Sequence, residues 1–269
     1  MSSDNNEQWI DYEQAYIAYF DVLGFKKLVE NNDHENLKTI YDKVFTQMAI
    51  RGSTLDGISS IPLIFSLIIS DTIIFWTDAS HSQNIWLIMT CAKQLLACSL
   101  EDGLPLRGCV IRGPLSIKQF ASESSDLTEP LSTITALVGK SIADAHKIAE
   151  EQNWSGCIID ESVMKKNYDE DERIINEESS LIQQLIKTRT CVKYDVPLKC
   201  GHTESKYVID WTDNPLLKTH QFLTKDLIRD SFYKHNKLDG QKPLPEDVKK
   251  KLSNTLKFFD EIKHLEFQY

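Results

Sequence analysis

The chain lacks several features that mark particular functional classes. Its 269 residues carry 30 Lys and Arg against 40 Asp and Glu, and a net charge of -10 argues against a broad nucleic-acid-binding surface. The longest apolar stretch, residues 61–76, contains Ser, Asp and Thr and is too short to cross a bilayer. The first seven residues lack the basic and apolar segments of a signal peptide. We therefore expect a cytoplasmic protein that binds neither membranes nor nucleic acids.

The cysteines also lack any metal-binding or disulfide pattern. The six cysteines are widely spaced, with no C-x-x-C pair and no accompanying histidine cluster. This spacing predicts reduced thiols in the core or on the surface rather than a zinc site or disulfides.

What the chain does have is two aspartates inside strongly apolar runs. Asp21 lies in the run Tyr19-Phe20-Asp21-Val22-Leu23-Gly24-Phe25, and Asp71 lies in the run Ile68-Ile69-Ser70-Asp71-Thr72-Ile73-Ile74-Phe75. Desolvating a carboxylate is costly unless a positive charge lies beside it. Two such runs therefore suggest that both aspartates share a divalent cation.

The hydrophobic periodicity predicts an α+β fold. The predicted order is β-α-α-β-β-α-β-α-β, with Asp71 at the tip of a hairpin, and this is the order of a ferredoxin-like sheet. The main strands and helices are expected at residues 15–20, 35–48, 63–69, 73–76, 85–100, 106–117, 139–152 and 157–160. A late hairpin at 192–198 and 207–211 and a helix at 246–264 follow, and residues 122–133 are expected to form a mobile surface loop.

Four sequence blocks resemble the class III nucleotidyl cyclases. The run at residues 20–25 is similar to their D-I-x-G-F metal motif, and Ser70-Asp71 is similar to the Gly-Asp of their hairpin. Residues 106–115, Leu-Arg-Gly-Cys-Val-Ile-Arg-Gly-Pro-Leu, are similar to the strand R-x-G-I-x-x-G-P-V. Residues 139–148 fall on the helix G-x-x-V-N-x-A-x-R-L. The resemblance implies a cyclase domain over residues 10–215 and a C-terminal helical extension over 216–269.

The resemblance implies a two-metal phosphoryl transfer. Two Mg²⁺ or Mn²⁺ ions would be held by Asp21, Asp71 and the Val22 carbonyl, and they would activate the ribose 3′-hydroxyl of a nucleoside triphosphate. It also implies a homodimer with active sites at the interface, to which the apolar hairpin 61–76 would contribute. Further substrate-binding positions are expected at Phe20, Leu23, Gly24, Phe25, Arg112, Lys140 and Lys199.

The chain departs from the cyclase pattern at four positions. Ala143 and Lys147 stand where the helix usually carries Asn and Arg, and lysine can stabilise phosphate charge only as a point charge. The resemblance still implies a catalytic role for Lys147, as a positive charge that stabilises the phosphates. Leu67 and Ala136 stand where the family has its purine-reading Lys and polar residue. A pocket without donors and acceptors cannot favour the purine edge.

With these departures, the chain resembles the pyrimidine cyclases of bacterial Pycsar anti-phage defence. Three later blocks add to this resemblance: Tyr194-Asp195-Val196-Pro197-Leu198-Lys199, Val208-Ile209-Asp210-Trp211 and Ser253-Asn254-Thr255-Leu256-Lys257-Phe258-Phe259. That resemblance implies conversion of UTP, in preference to CTP, to a cyclic nucleotide that is read by a separate effector protein. Phe65 or Tyr19 could narrow the base pocket towards a pyrimidine, although ordinary core packing is the preferred explanation of both residues.

Three other readings of the sequence stay open. One is a purine cyclase of the same fold. A second is another palm-type two-metal enzyme, although the chain has no G-G-[DE]-[DE]-F signature. A third, favoured by Ala143 and Lys147, is a catalytically inactive domain that senses nucleotides. Release of pyrophosphate from an added nucleoside triphosphate would distinguish either enzyme from an inactive sensing domain.

Overall fold

One mixed sheet organises the chain. The computed structural model describes residues 9–52, 64–81, 83–123, 130–164, 183–212, 223–234 and 244–264. The strands within these ranges are β1 (Ile10–Val22), β2 (Phe65–Ile69), β3 (Thr72–Asp78), β4 (Leu106–Glu123), β5 (Pro130–Val138), β6 (Gly156–Ile159), β7 (Cys191–Pro197) and β8 (Thr203–Ile209). The helices are α1 (Phe25–Asn31), α2 (His34–Gly52), α3 (Gln83–Asp102), α4 (Lys140–Glu151), α5 (Glu161–Met164), α6 (183–187), α7 (Lys225–Tyr233) and α8 (Glu246–His264).

The strand order confirms the predicted α+β fold. The sheet runs β2-β3-β1-β4-β6-β8-β7, and β5 pairs with β4 outside this path. Strand β1 is antiparallel to both β3 and β4, and β2 is antiparallel to β3. The order β4-β1-β3-β2 is that of the ferredoxin-like core. Strand β6 adds in parallel to β4, and the hairpin of β7 and β8 extends the sheet beyond it.

The two faces of the sheet bury separate apolar clusters. Along β1, Ala18 and Phe20 belong to the larger cluster, in which α3 and the C-terminal helices pack. Ile17 and Tyr19 belong to the smaller cluster, which is covered by Ala145 and other residues of α4. This alternation follows from the two-residue period of a strand. Asp21 therefore lies on the α4 face.

Two glycines are required where β1 ends. Gly24 has φ 78°, in the left-handed region that glycine adopts at little cost, and it turns the chain from β1 into α1. Gly108 faces β1 so closely that a Cβ atom there would lie 2.6 Å from the Tyr19 carbonyl oxygen and collide with the Phe20 ring. Together they let β4 approach the end of β1 that carries Asp21.

The C-terminal helices share the core of the sheet. The Phe258 ring of α8 contacts the rings of Trp154 at 4.8 Å, Tyr194 at 4.9 Å and Trp211 at 5.4 Å between centroids. The division at residue 215 stays a prediction, and residues 216–222, 235–243 and 265–269 of the extension lie outside the described ranges. No helix among the described residues is both long and apolar enough to cross a bilayer.

The expected loop at residues 122–133 is wrong at both ends. Residues 122 and 123 continue β4, and residues 130–133 belong to β5, which pairs with β4 from Ser116↔Val138 to Glu123↔Pro130. The Ser- and Thr-rich composition suggested a loop, but the cross-strand partner supplies the hydrogen bonds that make these residues extended. Residues 124–129 lie outside the described ranges.

Candidate active site

Asp21 stands in a cross-strand row at the end of the sheet. It lies opposite Thr72 of β3 and opposite Arg107 of β4, and Ile69 of β2 continues the row. Directly opposed residues of antiparallel strands point to the same face. The register therefore brings Asp21 and Arg107 together although they are far apart in sequence.

The Asp21 carboxylate forms a two-point ion pair with Arg107. Nε of Arg107 donates to Oδ2 of Asp21 at 2.8 Å, and Nη2 lies 2.6 Å from the same oxygen. The side chains are 15% and 13% exposed, respectively, so the pair is largely shielded from solvent. Burial raises the pKa of Asp21, Arg107 lowers it, and the charge of Asp71 raises it again. The carboxylate is thus desolvated, paired with a cation and close enough to Asp71 to be affected by its charge.

The β2–β3 turn holds Asp71 beside the end of β1. The Val22 amide donates to the Asp71 carbonyl oxygen at 3.0 Å. Ser70 has φ 59°, a left-handed conformation that is uncommon for a residue other than glycine. The Tyr41 hydroxyl of α2 donates to the Ser70 carbonyl oxygen at 2.9 Å and so braces this turn. The sequence prediction that Asp71 lies at the hairpin tip is confirmed.

The two aspartates fit a divalent cation that also binds a substrate. Asp21 and Asp71 are two carboxylates at one edge of the sheet, and their charges interact. Among the described residues no group of three or more His, Cys, Asp or Glu side chains could hold a metal ion by itself. Magnesium in nucleotide enzymes is typically held by one or two carboxylates together with substrate phosphates. The residues present fit that pattern; the Val22 carbonyl as a further ligand stays a prediction.

A hydrogen-bonded pair of aromatic side chains borders Asp21. The Tyr19 hydroxyl lies 2.9 Å from Nδ1 of His146 on α4 and 3.3 Å from the Thr72 hydroxyl. The His146 imidazole also meets the Tyr19 ring edge to face, with centroids 5.5 Å apart. Burial raises the pKa of Tyr19, and the charges of Asp21 and Asp71 contribute to the increase. Tyr19 therefore stays protonated and links α4 to the aspartate end of the sheet.

Lys199 is a predicted cation whose charge interacts with this site. It lies in the turn after β7, where its amide donates to the Glu151 carbonyl oxygen at 2.8 Å. Burial lowers the pKa of Lys199, as do the nearby positive charges of Arg107 and Lys251, whereas Glu150 and Asp21 raise it. Lys199 thus lies within electrostatic reach of both members of the Asp21–Arg107 pair.

The other predicted cations lie on α4 or on the opposite face of the sheet. Lys147 and Lys140 are exposed on α4, and Lys147 directly follows His146. Arg112 pairs in register with Tyr16, and its guanidinium lies over that ring at 5.7 Å. Because Arg112 is five positions from Arg107 in β4, its side chain points to the opposite face of the sheet. The geometry gives no support to Arg112 as a phosphate ligand.

The predicted base-reading positions lie on β2 and β5. Leu67 is half-buried beside the smaller core cluster. Phe65 is 39% exposed and stacks on Trp76 with centroids 5.6 Å apart. Ala136 is half-buried on β5, where it pairs with Lys118 of β4. The side chains at positions 67 and 136 carry no hydrogen-bonding group, as the sequence indicated.

The remaining predicted substrate positions cluster around the first turn after β1. Phe20 is fully buried on the opposite face and packs against Phe75, so its side chain supports the core. Leu23 and Phe25 are half-buried against the larger cluster, and the Leu23 amide donates to the Pro105 carbonyl oxygen at 2.9 Å. Gly24 is exposed at the turn. Their roles toward a substrate stay predictions.

The sequence did not identify Arg107 as a residue of the site, or the Glu150 carbonyl as the group that orients it. Arg107 was part of a recognised block, but its partner becomes visible only through the β1–β4 register. Its Nη1 donates to the Glu150 carbonyl oxygen at 3.0 Å, which fixes the guanidinium from the α4 side. The signal in the sequence was a charged residue among the apolar residues at the start of β4, which a buried aspartate could have explained.

Comparison with known proteins gives weak structural likenesses alone. No protein-family model matches the chain, and no curated protein matches it. The catalytic core of a rhodopsin-guanylyl cyclase with converted specificity, in complex with ATPalphaS, is similar at 12% identity over 75% of this chain and 97% of that chain (TM-score 0.44). The guanylate cyclase domain of RhGC from Catenaria anguillulae, in complex with GTP, has 13% identity over 74% of this chain and 97% of that chain (TM-score 0.44).

A third similar structure is the non-canonical dimeric guanylyl cyclase domain of the RhoGC fusion protein from Blastocladiella emersonii. It has 13% identity over 76% of this chain and 98% of that chain, with a TM-score of 0.42. At such identities and TM-scores the likeness assigns this chain neither an activity nor a substrate.

Proposed function

We propose that this chain is a nucleotidyl cyclase that converts a nucleoside triphosphate to a 3′,5′-cyclic nucleotide and pyrophosphate. The observation that carries the proposal is the placement of Asp21 and Asp71 at one end of the sheet, beside Arg107. Carboxylates that hold a metal and cations that hold phosphates are what phosphoryl transfer requires. The motif resemblance independently selects the same two aspartates.

The carboxylates and the cations have separate tasks in this proposal. Asp21 and Asp71 would hold Mg²⁺ or Mn²⁺, which when bound stabilises negative charge on the phosphates and makes the attacking hydroxyl more acidic. Arg107, which pairs with Asp21 through Nε and Nη2 and donates to the Glu150 carbonyl oxygen through Nη1, would turn from Asp21 to a phosphate oxygen when a metal ion occupies that carboxylate. Lys199 adds positive charge nearby, and Lys147 on α4 is the candidate for charge stabilisation from the helix.

We infer a pyrimidine substrate, with UTP preferred to CTP. Leu67 and Ala136 stand at the two positions that read the purine in the cyclases that the chain resembles, and neither side chain has a donor or acceptor with which to favour a purine edge. Phe65, whose ring stacks on that of Trp76, would narrow the pocket for the base. The preference for UTP over CTP follows the resemblance to the Pycsar enzymes and has no separate physical basis.

Cyclase activity is tested by incubating the whole chain with Mn²⁺ and each of the four nucleoside triphosphates in turn. The quantity measured is the pyrophosphate released. We expect release with the wild type and a loss of about 100-fold or more with Asp21→Asn or Asp71→Asn, because either change removes a metal ligand. The matched control is Asp195→Asn on an exposed position of β7, which should keep full activity. Full activity in both site variants would refute the assignment of the aspartates.

The base preference is tested with the four triphosphates at equal concentration. Mass spectrometry of the products should show cyclic UMP as the main species, with cyclic CMP second. A product mixture dominated by cyclic AMP or cyclic GMP would overturn the pyrimidine assignment and would leave the cyclase assignment standing.

A second candidate function is nucleotide sensing without turnover. It is favoured by the Asp21–Arg107 pair, in which a cation of the protein already neutralises the carboxylate, and by Ala143. Nucleotide binding without pyrophosphate release from any triphosphate would support sensing against catalysis.

The wider role that we propose follows the same resemblance. The cyclic nucleotide would act as a second messenger in antiviral defence and would be read by a separate effector protein. Infection of cells that carry the wild type or Asp71→Asn should show protection and cyclic pyrimidine accumulation in the wild type alone.

A further inference from the structure

The C-terminal helix α8 is docked against the segment that follows α4. Phe258 and Thr255 of α8 are fully buried, and the Phe258 ring contacts Trp154. The Trp154 indole N–H donates to the Gln152 side-chain oxygen at 3.0 Å. This helix therefore packs against residues 153–155, which begin three positions after Glu150, the α4 residue whose carbonyl holds Arg107.

Hydrogen bonds fix the register of α8 on this segment. The Ser155 amide donates to the Thr255 hydroxyl oxygen at 2.9 Å, and the same hydroxyl donates to the Lys251 carbonyl oxygen at 2.8 Å. The Asn254 side chain donates to the Asn153 carbonyl oxygen at 2.8 Å. Ser155 and Thr255 are fully buried, so loss of the hydroxyl would leave a buried amide without its partner.

The last two residues of α4, which precede this segment, hold the Arg107 guanidinium and the backbone of Lys199. The Glu150 carbonyl oxygen accepts from Arg107 at 3.0 Å, and the Glu151 carbonyl oxygen accepts from the Lys199 amide at 2.8 Å. Ser155 reaches the strand of Arg107 directly, because its hydroxyl donates to the Leu106 carbonyl oxygen at 2.8 Å. The position of α8 is thereby coupled to the position of Arg107 and Lys199.

α8 also brings a cation of its own. Lys251 lies one turn before Thr255, and its side chain is 18% exposed. Its Nζ lies 3.1 Å from Oδ2 of Asp247, whose side chain is 69% exposed. An exposed carboxylate is a weak partner that a polyphosphate can replace. The Lys251 carbonyl oxygen accepts from the Thr255 hydroxyl that binds Ser155, so Lys251 lies one helical turn from this contact, and its positive charge, like that of Arg107, lowers the pKa of Lys199.

We propose that α8 is part of the triphosphate site: Thr255 and Asn254 position Arg107 and Lys199, and Lys251 contributes a third positive charge to the phosphates. This inference rests on the proposed function. It gives the C-terminal extension a direct part in nucleotide binding, and it makes Thr255 a positioning residue because it acts through Ser155 and Leu106.

Direct binding tests the charge of Lys251. The full-length protein is titrated calorimetrically with α,β-methylene-UTP in the presence of Mn²⁺, since this analogue cannot release pyrophosphate. We expect Lys251→Gln to weaken binding about tenfold, because a charge-assisted contact to phosphate is lost. The matched control is Lys249→Gln, whose Nζ pairs with Glu246 on the same helix, and it should bind like the wild type.

The outcomes of the titration separate this inference from the proposed function. If the wild type binds and turns over UTP while Lys251→Gln binds equally well, the role of Lys251 is refuted and the cyclase assignment stands. If the wild type binds none of the nucleotide analogues, both proposals fail together. A loss of equal size in Lys251→Gln and Lys249→Gln would indicate a general charge effect and would also refute a specific site.

Steady-state kinetics tests the positioning role of Thr255. Thr255→Val keeps the side-chain volume but removes the hydroxyl, so we expect the KM for UTP to rise about fivefold to tenfold, with a smaller change in kcat. Thr255→Ser should restore the KM. The control is Phe259→Leu one turn further along the same helix, where the ring stacks on Trp211; it should lower the melting temperature without changing KM. A Thr255→Val variant that is less stable but has the wild-type KM would overturn the positioning role.

Discussion

At the scale of single residues, the pairing of Asp21 with Arg107 decides the character of the site. A carboxylate that is 15% exposed is costly to keep ionised, and the adjacent guanidinium compensates for much of that cost. The sequence allowed Asp21 to be identified because a charged residue interrupts an apolar run. It did not identify Arg107 as the partner, since the register that opposes the two residues depends on the whole β1–β4 pairing.

Arg107→Gln should destabilise the fold more when residue 21 is aspartate than in the Asp21→Asn background. We expect Arg107→Gln to lower the free energy of unfolding by about 3 kcal/mol at pH 8, because a buried carboxylate loses its cation. Asp21→Asn in the Arg107→Gln background should recover part of this loss, and urea unfolding of the four proteins gives the interaction free energy. Additive effects of the two substitutions would show that the pair contributes nothing to stability.

The cysteines should differ sharply in reactivity. Burial raises the pKa of Cys91 to about 11 and that of Cys191 to about 12, so at pH 8 only about one Cys91 side chain in a thousand is a thiolate. Cys200 is exposed. A thiol-reactive disulfide reagent should therefore label one cysteine quickly in the native protein. All six should react in denaturant, and rapid labelling of several native thiols would contradict the buried positions.

At the scale of elements, periodic segments were predictable and paired polar segments were not. The helix at 246–264, the helix at α4 and the hairpin around Asp71 have apolar positions at helical or strand spacing, and the structure confirms them. Strand β5 was missed because residues 130–133 are too polar to read as a strand alone. Their extended conformation depends on pairing with β4, which no local pattern encodes.

The turn that carries Asp71 should depend on a hydroxyl from α2. Tyr41→Phe removes the hydrogen bond to the Ser70 carbonyl oxygen, which braces a residue with φ 59°. We expect kcat/KM to fall about threefold to tenfold and the Mn²⁺ concentration for half-maximal activity to rise, with little change in melting temperature. Tyr233→Phe on α7 is the control. Unchanged Mn²⁺ dependence in Tyr41→Phe would exclude a positioning role for this contact.

At the scale of the whole molecule, exposed apolar side chains lie along β2, the strand that leads to Asp71. Phe65 is 39%, Ile68 41% and Ile69 61% exposed, and Ile69 lies in the same cross-strand row as Asp21. Residues 61–63 of the predicted interface lie outside the described ranges. Exposed apolar side chains next to a charged site are typical of a surface that another chain covers. We therefore keep the homodimer with interfacial sites as a prediction.

A charge at Ile69 should separate the subunits if that prediction holds. We expect Ile69→Glu to shift the protein from dimer to monomer in analytical ultracentrifugation and to abolish cyclization, because a carboxylate at the interface would be desolvated without a partner. Ile186→Glu is the matched control, since this isoleucine on α6 is 42% exposed. A wild type that is monomeric and fully active at micromolar concentration would contradict the interfacial arrangement.

The long-range contacts of the site also constrain how the chain folds. Asp21 and Arg107 are separated by 86 positions, and the Ser155–Thr255 contact spans 100. Contacts between distant segments slow folding, since loop closure costs entropy before the contact can compensate for it. We expect β1 to become fully paired only after both β3 and β4 have docked. We expect Arg107 and Lys199 to reach their native positions only after α8 has docked. During refolding, binding of a triphosphate should therefore recover in the last phase, after most of the helical signal has returned.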